Sequence, residues 1–98
     1  MQKSYSKENL KEISPVCNCS PIIEMTENIV VFDAEGEGVC QAQISKNGKD
    51  WSLFNIGVFK LPCNVKLSDT KVPINLEYIY LRFVTNGEGY FEKCTIAW

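Results

Sequence analysis

From residue 29 onward apolar and polar side chains alternate with a period of two, and Gly, Pro, Asn and Asp break the pattern at short intervals. That is how short antiparallel strands read. Residues 44–53, Ile-Ser-Lys-Asn-Gly-Lys-Asp-Trp-Ser-Leu, are the most informative stretch. Asn47-Gly48 is the pair favoured by a type I′ two-residue turn. A hairpin closed there sets Lys46 opposite Lys49, Ser45 opposite Asp50, Ile44 opposite Trp51 and Ala42 opposite Leu53. In that register Cys40, Ala42, Ile44, Trp51 and Leu53 share one face, and Trp51 and Ile44 are predicted neighbours in the core.

The remaining pattern predicts further short strands. Residues 29–32 are an apolar run, and 33–38 read as a glycine-rich acidic turn. Residues 57–61 form a strand stopped by Pro62; Cys63, Val65 and Leu67 then alternate with Asn64, Lys66 and Ser68. After a loop at 69–75, Ile79, Leu81 and Phe83 point one way and Tyr78, Tyr80 and Arg82 the other. Residues 85–89 turn the chain into a last strand, 90–98. There Cys94, Ile96 and Trp98 look inward, and Glu92 joins them unless a bulge intervenes. Gly-Glu-Gly occurs at 36–38 and 87–89, but the flanks differ, so it is no internal repeat.

Residues 1–28 are different. Residues 6–13 allow one or two helical turns carrying Leu10 and Ile13, ended by Pro15. Residues 16–21 read as extended or turn-rich, between two prolines. Leu10, Ile13, Val16, Ile22 and Ile23 are too few to build a core, so 1–28 is expected to be an interaction arm and 29–98 a self-sufficient domain. The predicted fold class is all-β: an antiparallel β-sandwich, jelly-roll-like, with an N-terminal extended arm.

Composition narrows the function more than it names one. Ninety-eight residues suit a single domain. A net charge of −2 lacks the basic face that phosphate binding needs, so nucleic acid is not the expected partner. Charge is uneven: residues 13–40 carry Glu24, Glu27, Asp33, Glu35 and Glu37 and no Lys or Arg, whereas 41–71 carry five lysines against two aspartates. Such polarity suits a head-to-tail contact between copies, although two solvated faces would look the same. No membrane-spanning run and no secretory leader appear in the polar start of the chain. The expected location is therefore the cytoplasm, or a virion if the chain is phage-encoded.

Reaction chemistry is hard to assemble. The chain has no His, which removes Ser-His and Cys-His nucleophile systems, and it shows no phosphate-cradling or dinucleotide motif. The expectation is a non-enzyme without a cofactor. Cys17-x-Cys19 is too closely spaced for a zinc knuckle, and Cys40, Cys63 and Cys94 lie singly on strands, so the thiols are expected to be reduced and metal-free. Asp33, Glu35 and Glu37 are a hard-oxygen set for a weak calcium site, or simply keep a turn soluble. Tyr78, Tyr80 and Arg82 form an aromatic-cationic stripe, of types enriched at interfaces and on sugar-stacking platforms. The alternative is that this stripe packs on the second sheet or on the arm.

The hairpin residues Ser45, Asn47, Gly48 and Trp51, followed by Tyr78, Ile79 and Arg82, resemble the discoidin-type modules of the galactose-binding-like jelly rolls over about residues 39–98. The resemblance implies a sandwich and, as a second functional reading, a carbohydrate-binding module. That module would use the loops 46–50 and 85–90, with Trp51, Tyr80, Arg82 and Tyr90 as platform. The first reading is a structural or interaction module of a larger assembly such as a phage virion. Its partners would be other protein subunits, copies of itself included, with no nucleic acid and no membrane.

Overall fold

The chain behaves as one long hairpin rolled up on itself. The computed structural model describes residues 1–24, 31–67 and 80–97, the side chains of residues 55 and 56 apart. Its elements are β1 (Gln2–Ser6), α1 (Lys7–Ile13), β2 (Ile23–Glu24), β3 (Val31–Glu37), β4 (Val39–Ser45), β5 (Trp51–Lys60), β6 (Cys63–Lys66), β7 (Tyr80–Thr85) and β8 (Tyr90–Ala97). β1 pairs with β8, β2 with β7, β3 with β6 and β4 with β5, all antiparallel, with the β4–β5 loop as apex. Alternate pairs fall into alternate sheets, giving β1-β8-β3-β6 and β2-β7-β4-β5. This is the order of an eight-stranded jelly roll, the predicted all-β sandwich.

The core lies between the sheets. Phe32 of one sheet stacks on Phe83 of the other, centroids 4.1 Å apart and planes 7° from parallel. Phe91 meets Phe32 edge-on at 6.2 Å, and Phe59 meets Phe83 at 6.1 Å. Leu81 and Phe83 are buried while Tyr80 and Arg82 are half-buried, so the predicted alternation of this strand holds over its described part. The same is true of β6, where Val65 and Leu67 are buried. The last strand does contain the bulge: Glu35 pairs with Lys93 but Gly36 with Phe91, leaving Glu92 extra and exposed. The slip lets both Phe91 and Cys94 face inward. Tyr78, Ile79, the 69–75 loop, residues 29 and 30, and Trp98 lie outside the described residues.

Three sequence expectations are corrected. The hairpin is slipped by one residue: Ser45, not Ile44, lies opposite Trp51, and Gln43 opposite Leu53. Asn47 does not take the positive φ that a type I′ turn requires; only Gly48 does, at 77°. Instead, the Asn47 Oδ1 accepts from the backbone N–H groups of Lys49 (2.8 Å) and Asp50 (2.9 Å), and Ser45 Oγ accepts from those of Asn47 (3.2 Å) and Gly48 (2.9 Å). Four donors find side-chain acceptors, which stabilises a five-residue loop over the two-residue turn. Because side chains alternate, the slip puts Trp51 and Leu53 on the outer face; Phe54 and Phe59 pack on the core in their place.

The second correction concerns 33–38. It is strand, not turn: β3 runs to Glu37, and only Gly38 (φ 95°) carries the chain over to the other sheet. Phe32 and Ala34 are buried, whereas Asp33, Glu35 and Glu37 are exposed on the outside.

Third, residues 2–24 are part of the sandwich rather than a detached arm. β1 extends one sheet along β8, and β2 edges the other along β7. Between them α1 buries Leu10 completely, and Cys17 and Ile23 are 2 % exposed. Backbone bonds tie the segment down: Phe91 N–H donates to Cys17 O (2.8 Å), Thr85 N–H to Asn18 O (2.8 Å) and Ser20 N–H to Phe83 O (2.8 Å). A few apolar residues need not build a core of their own when they complete one supplied by neighbouring strands.

Candidate interaction face

The two outer faces of the sandwich are chemically unlike. Outside β1-β8-β3-β6 the side chains are polar: Ser4 and Thr95 share a hydrogen bond (3.2 Å), and Asn64 Nδ2 donates to Asp33 Oδ2 (3.1 Å). Outside β2-β7-β4-β5, ladder pairing sets Trp51, Ser45, Tyr80 and Glu24 in one row, Leu53, Gln43 and Arg82 in the next, and Val58, Gln41 and Val84 in a third. Leu53 is 63 % exposed and Val58 56 %.

Arg82 organises this face. Its guanidinium lies over the Trp51 ring, 4.3 Å from the centroid, and its Nε donates to Gln43 Oε1 at 2.8 Å. Held between an aromatic face and an amide, it is fixed in direction, and the stack is worth ~0.5–2 kcal/mol according to its exposure. Tyr80 lies against Gly48: a Cβ at that glycine would be 3.8 Å from the Tyr80 ring, so the apex loop folds over the tyrosine. The face is therefore pre-ordered, with an indole, a phenol and a fixed cation beside exposed aliphatic side chains.

Of the residues singled out from the sequence, Trp51, Tyr80 and Arg82 are brought together, and Tyr78 lies outside the described residues. The stripe points away from the second sheet, and Arg82 packs on Trp51 rather than on the N-terminal segment. Tyr90 is elsewhere. It starts β8 in the other sheet, with Lys7 Nζ 4.9 Å from its ring centroid. The loops 46–50 and 85–90 do not converge either, because Tyr80 pairs with Ser45 and Thr85 with Cys40, at opposite ends of β4. At ~3.4 Å per residue those ends are about 17 Å apart, so a single platform of Trp51, Tyr80, Arg82 and Tyr90 is not formed. Tyr90 instead lines a depression of about 420 Å³ with Lys7, Lys11, Asn18 and Glu88, beside α1.

Asp33, Glu35 and Glu37 sit at alternate positions of one strand, about 7 Å apart, whereas calcium ligands all lie about 2.5 Å from one ion. Glu35 also faces Lys93 across the ladder. Among the described residues no group of three His, Cys, Asp or Glu side chains is arranged to hold a metal ion. Cys17 Sγ turns to the Lys7 carbonyl (3.8 Å) and Cys19 Sγ to Asn18 Oδ1 (3.4 Å). All five cysteines are free thiols.

One grouping was not legible in the sequence. Cys63 and Cys94 both pair with Ala34, from either side, and Cys40 on the facing sheet is buried in the core against which Cys63 packs. Residues 23 or more positions apart converge only through the roll-up, so no local spacing announces them. Among the described residues no helix is long and apolar enough to cross a membrane. No family model matches the chain, and neither the curated proteins nor the solved structures give a significant match.

Proposed function

We propose that the protein is a non-enzymatic interaction module that binds protein subunits of a larger assembly, such as a virion, through the outer face of β2-β7-β4-β5, with a second copy of itself as the first partner. The observation carrying this reading is the Arg82–Trp51 stack beside the exposed Leu53 and Val58. Aromatic and Arg side chains, ordered in advance and ringed by aliphatic ones, make good interface anchors. Asp33, Glu35 and Glu37 lie on the opposite outer face, so three carboxylates and the Arg82 guanidinium stand on opposite sides of the sandwich. A head-to-tail stack of copies would pair them. The lack of His and of any reaction motif supports a role other than catalysis.

The discoidin-like resemblance supports a second reading, carbohydrate binding, with Trp51 and Tyr80 on one face as stacking surfaces. A jelly roll serves both capsid and lectin domains, so the fold itself does not choose. Sedimentation velocity over a range of concentrations, paired with a glycan array, separates the two. Association that Leu53→Asp abolishes and added salt weakens supports the protein interface. A monomer at every concentration, with glycan binding lost in Trp51→Ala, supports the carbohydrate reading and removes the first.

A further inference from the structure

The chain holds two Asn-Gly pairs, Asn47-Gly48 and Asn86-Gly87. This dipeptide is chemically labile, because a glycine nitrogen is unhindered and its backbone folds back easily on the preceding side chain. The glycine nitrogen can then attack the asparagine side-chain carbon. Both partners must be free to move for that to happen. In sequence the two pairs are equivalent; in the fold they are not.

Asn47 is tied on every side. Its Oδ1 accepts from the N–H groups of Lys49 (2.8 Å) and Asp50 (2.9 Å) and from the Ser45 hydroxyl (3.1 Å), and its Nδ2 donates to Asp50 Oδ2 (2.9 Å). The attacking nitrogen is held as well, since Gly48 N–H donates to Ser45 Oγ at 2.9 Å, and Ser45 is fully buried. Asn86 is the opposite case. Asn86, Gly87 and Glu88 are exposed at the tip of the β7–β8 turn, and a Cβ on Gly87 would meet nothing within 4 Å. Among the described residues neither the Asn86 side chain nor the Gly87 N–H has a hydrogen-bond partner. The Asn86 main chain, by contrast, is engaged: its N–H donates to Val39 O (3.0 Å) and its carbonyl accepts from Gly89 N–H (3.0 Å).

We propose that Asn86 is a site of spontaneous deamidation that remodels the β7–β8 turn, while the apex loop keeps Asn47 inert. The Gly87 nitrogen gives its proton to solvent and attacks Asn86 Cγ; the C–N bond of the side-chain amide breaks and ammonia leaves, closing a five-membered succinimide. Water then opens the ring at one of its two carbonyls, yielding aspartate or isoaspartate at residue 86. In isoaspartate the former side-chain carbon becomes main chain, and the carbonyl that accepted the Gly89 N–H becomes a free carboxylate. The turn is thereby lengthened where it has no slack, since a Cβ on Gly38 would already be 2.8 Å from the Gly89 Cα.

The test ages the full chain in mildly alkaline buffer, native and in guanidinium. Digestion before Asp isolates Asn47 in residues 33–49, and digestion after Lys and Arg isolates Asn86 in residues 83–93. Deamidation appears as a gain of one mass unit, and its isoaspartyl fraction as peptide that a protease cutting before Asp leaves whole at residue 86. In the native chain Asn86 should react about tenfold or more ahead of Asn47, which must wait for its loop to open; in guanidinium the two rates should converge. Ageing should also lower the melting temperature of the wild type but not of Asn86→Gln, whose longer side chain closes a ring far more slowly. Comparable native rates, or an Asn86 lead that survives unchanged in guanidinium, overturn the assignment of the site; an aged, isoaspartyl-containing chain that melts like fresh protein overturns the remodelling.

Discussion

Ser20 sits where β-pairing alone would leave a donor stranded. Its N–H donates to Phe83 O, but the next residue is Pro21, and it is Ser20 Oγ that accepts the Phe83 N–H at 2.8 Å. Both residues are fully buried. Ser20→Ala should therefore cost ~1–3 kcal/mol, the penalty of an unsatisfied buried donor, read as a lower denaturant midpoint at unchanged slope. Gly36 answers a different constraint: a Cβ there would collide with the Tyr90 carbonyl oxygen, across the ladder at the Glu92 bulge. Gly38 and Gly89 similarly stand backbone to backbone, where a Cβ on Gly38 would be 2.8 Å from the Gly89 Cα. The two Gly-Glu-Gly tripeptides are thus partners in packing, and not a repeat. Gly36→Ala should lower the melting temperature by several degrees, since the obstacle is rigid backbone. Trp51→Ala should cost only ~1 kcal/mol because the ring lies half-buried on Arg82 and not in the core. A core-sized loss on thermal melting would place it inside after all.

At the scale of elements, β1, α1 and the 17–24 segment share one task, closing the side of the roll where β7 and β8 would otherwise be edges. Leu10 is the sole buried residue of α1, and Ser6 and Asn9 close its start, with Ser6 N–H donating to Asn9 Oδ1 at 3.1 Å. Seven residues cannot hold a helix by propensity; packing against β8 and β1 holds this one. Removing residues 1–24 strips a strand from each sheet and exposes the inner face of the core. Far-ultraviolet circular dichroism and sedimentation of that truncated chain should show unfolding or aggregation. A folded, soluble product would mean that the remaining strands suffice by themselves.

For the molecule as a whole, the roll-up decides both what faces outward and what meets inside. One outer face is polar, and the other carries Trp51, Leu53, Val58, Tyr80 and Arg82; the interior gathers three thiols from distant strands. Thiol reactivity in the folded state should rank accordingly. Cys63 is half-buried on an edge strand, whereas Cys40 and Cys94 are fully buried. Brief alkylation of the native chain, quenched and mapped, should label Cys63 about tenfold or more ahead of Cys40 and Cys94. Equal labelling would mean that the sandwich opens as readily as Cys63 is reached.

The amino-acid sequence determined the fold class and much of the inner face by itself, because period-two alternation reports directly which side of a strand is buried. Val65, Leu67, Leu81 and Phe83 follow from it, and so does the bulge that Glu92 demands. It could not determine the hairpin register: Asn47-Gly48 favours a two-residue turn locally, but Ser45 and Asn47 side chains satisfy four backbone donors in the longer loop, and one residue of slip sends Trp51 and Leu53 outside. Nor could it show that Asp33, Glu35 and Glu37 line a strand, since Gly36 looks like a turn residue until β8 is seen to press against it. The place of residues 2–24, the gathering of Trp51, Tyr80 and Arg82, and the pairing of Cys63 and Cys94 on either side of Ala34 were decided only by the tertiary structure. Each depends on pairing between strands far apart in sequence, and such pairing leaves no trace in local composition.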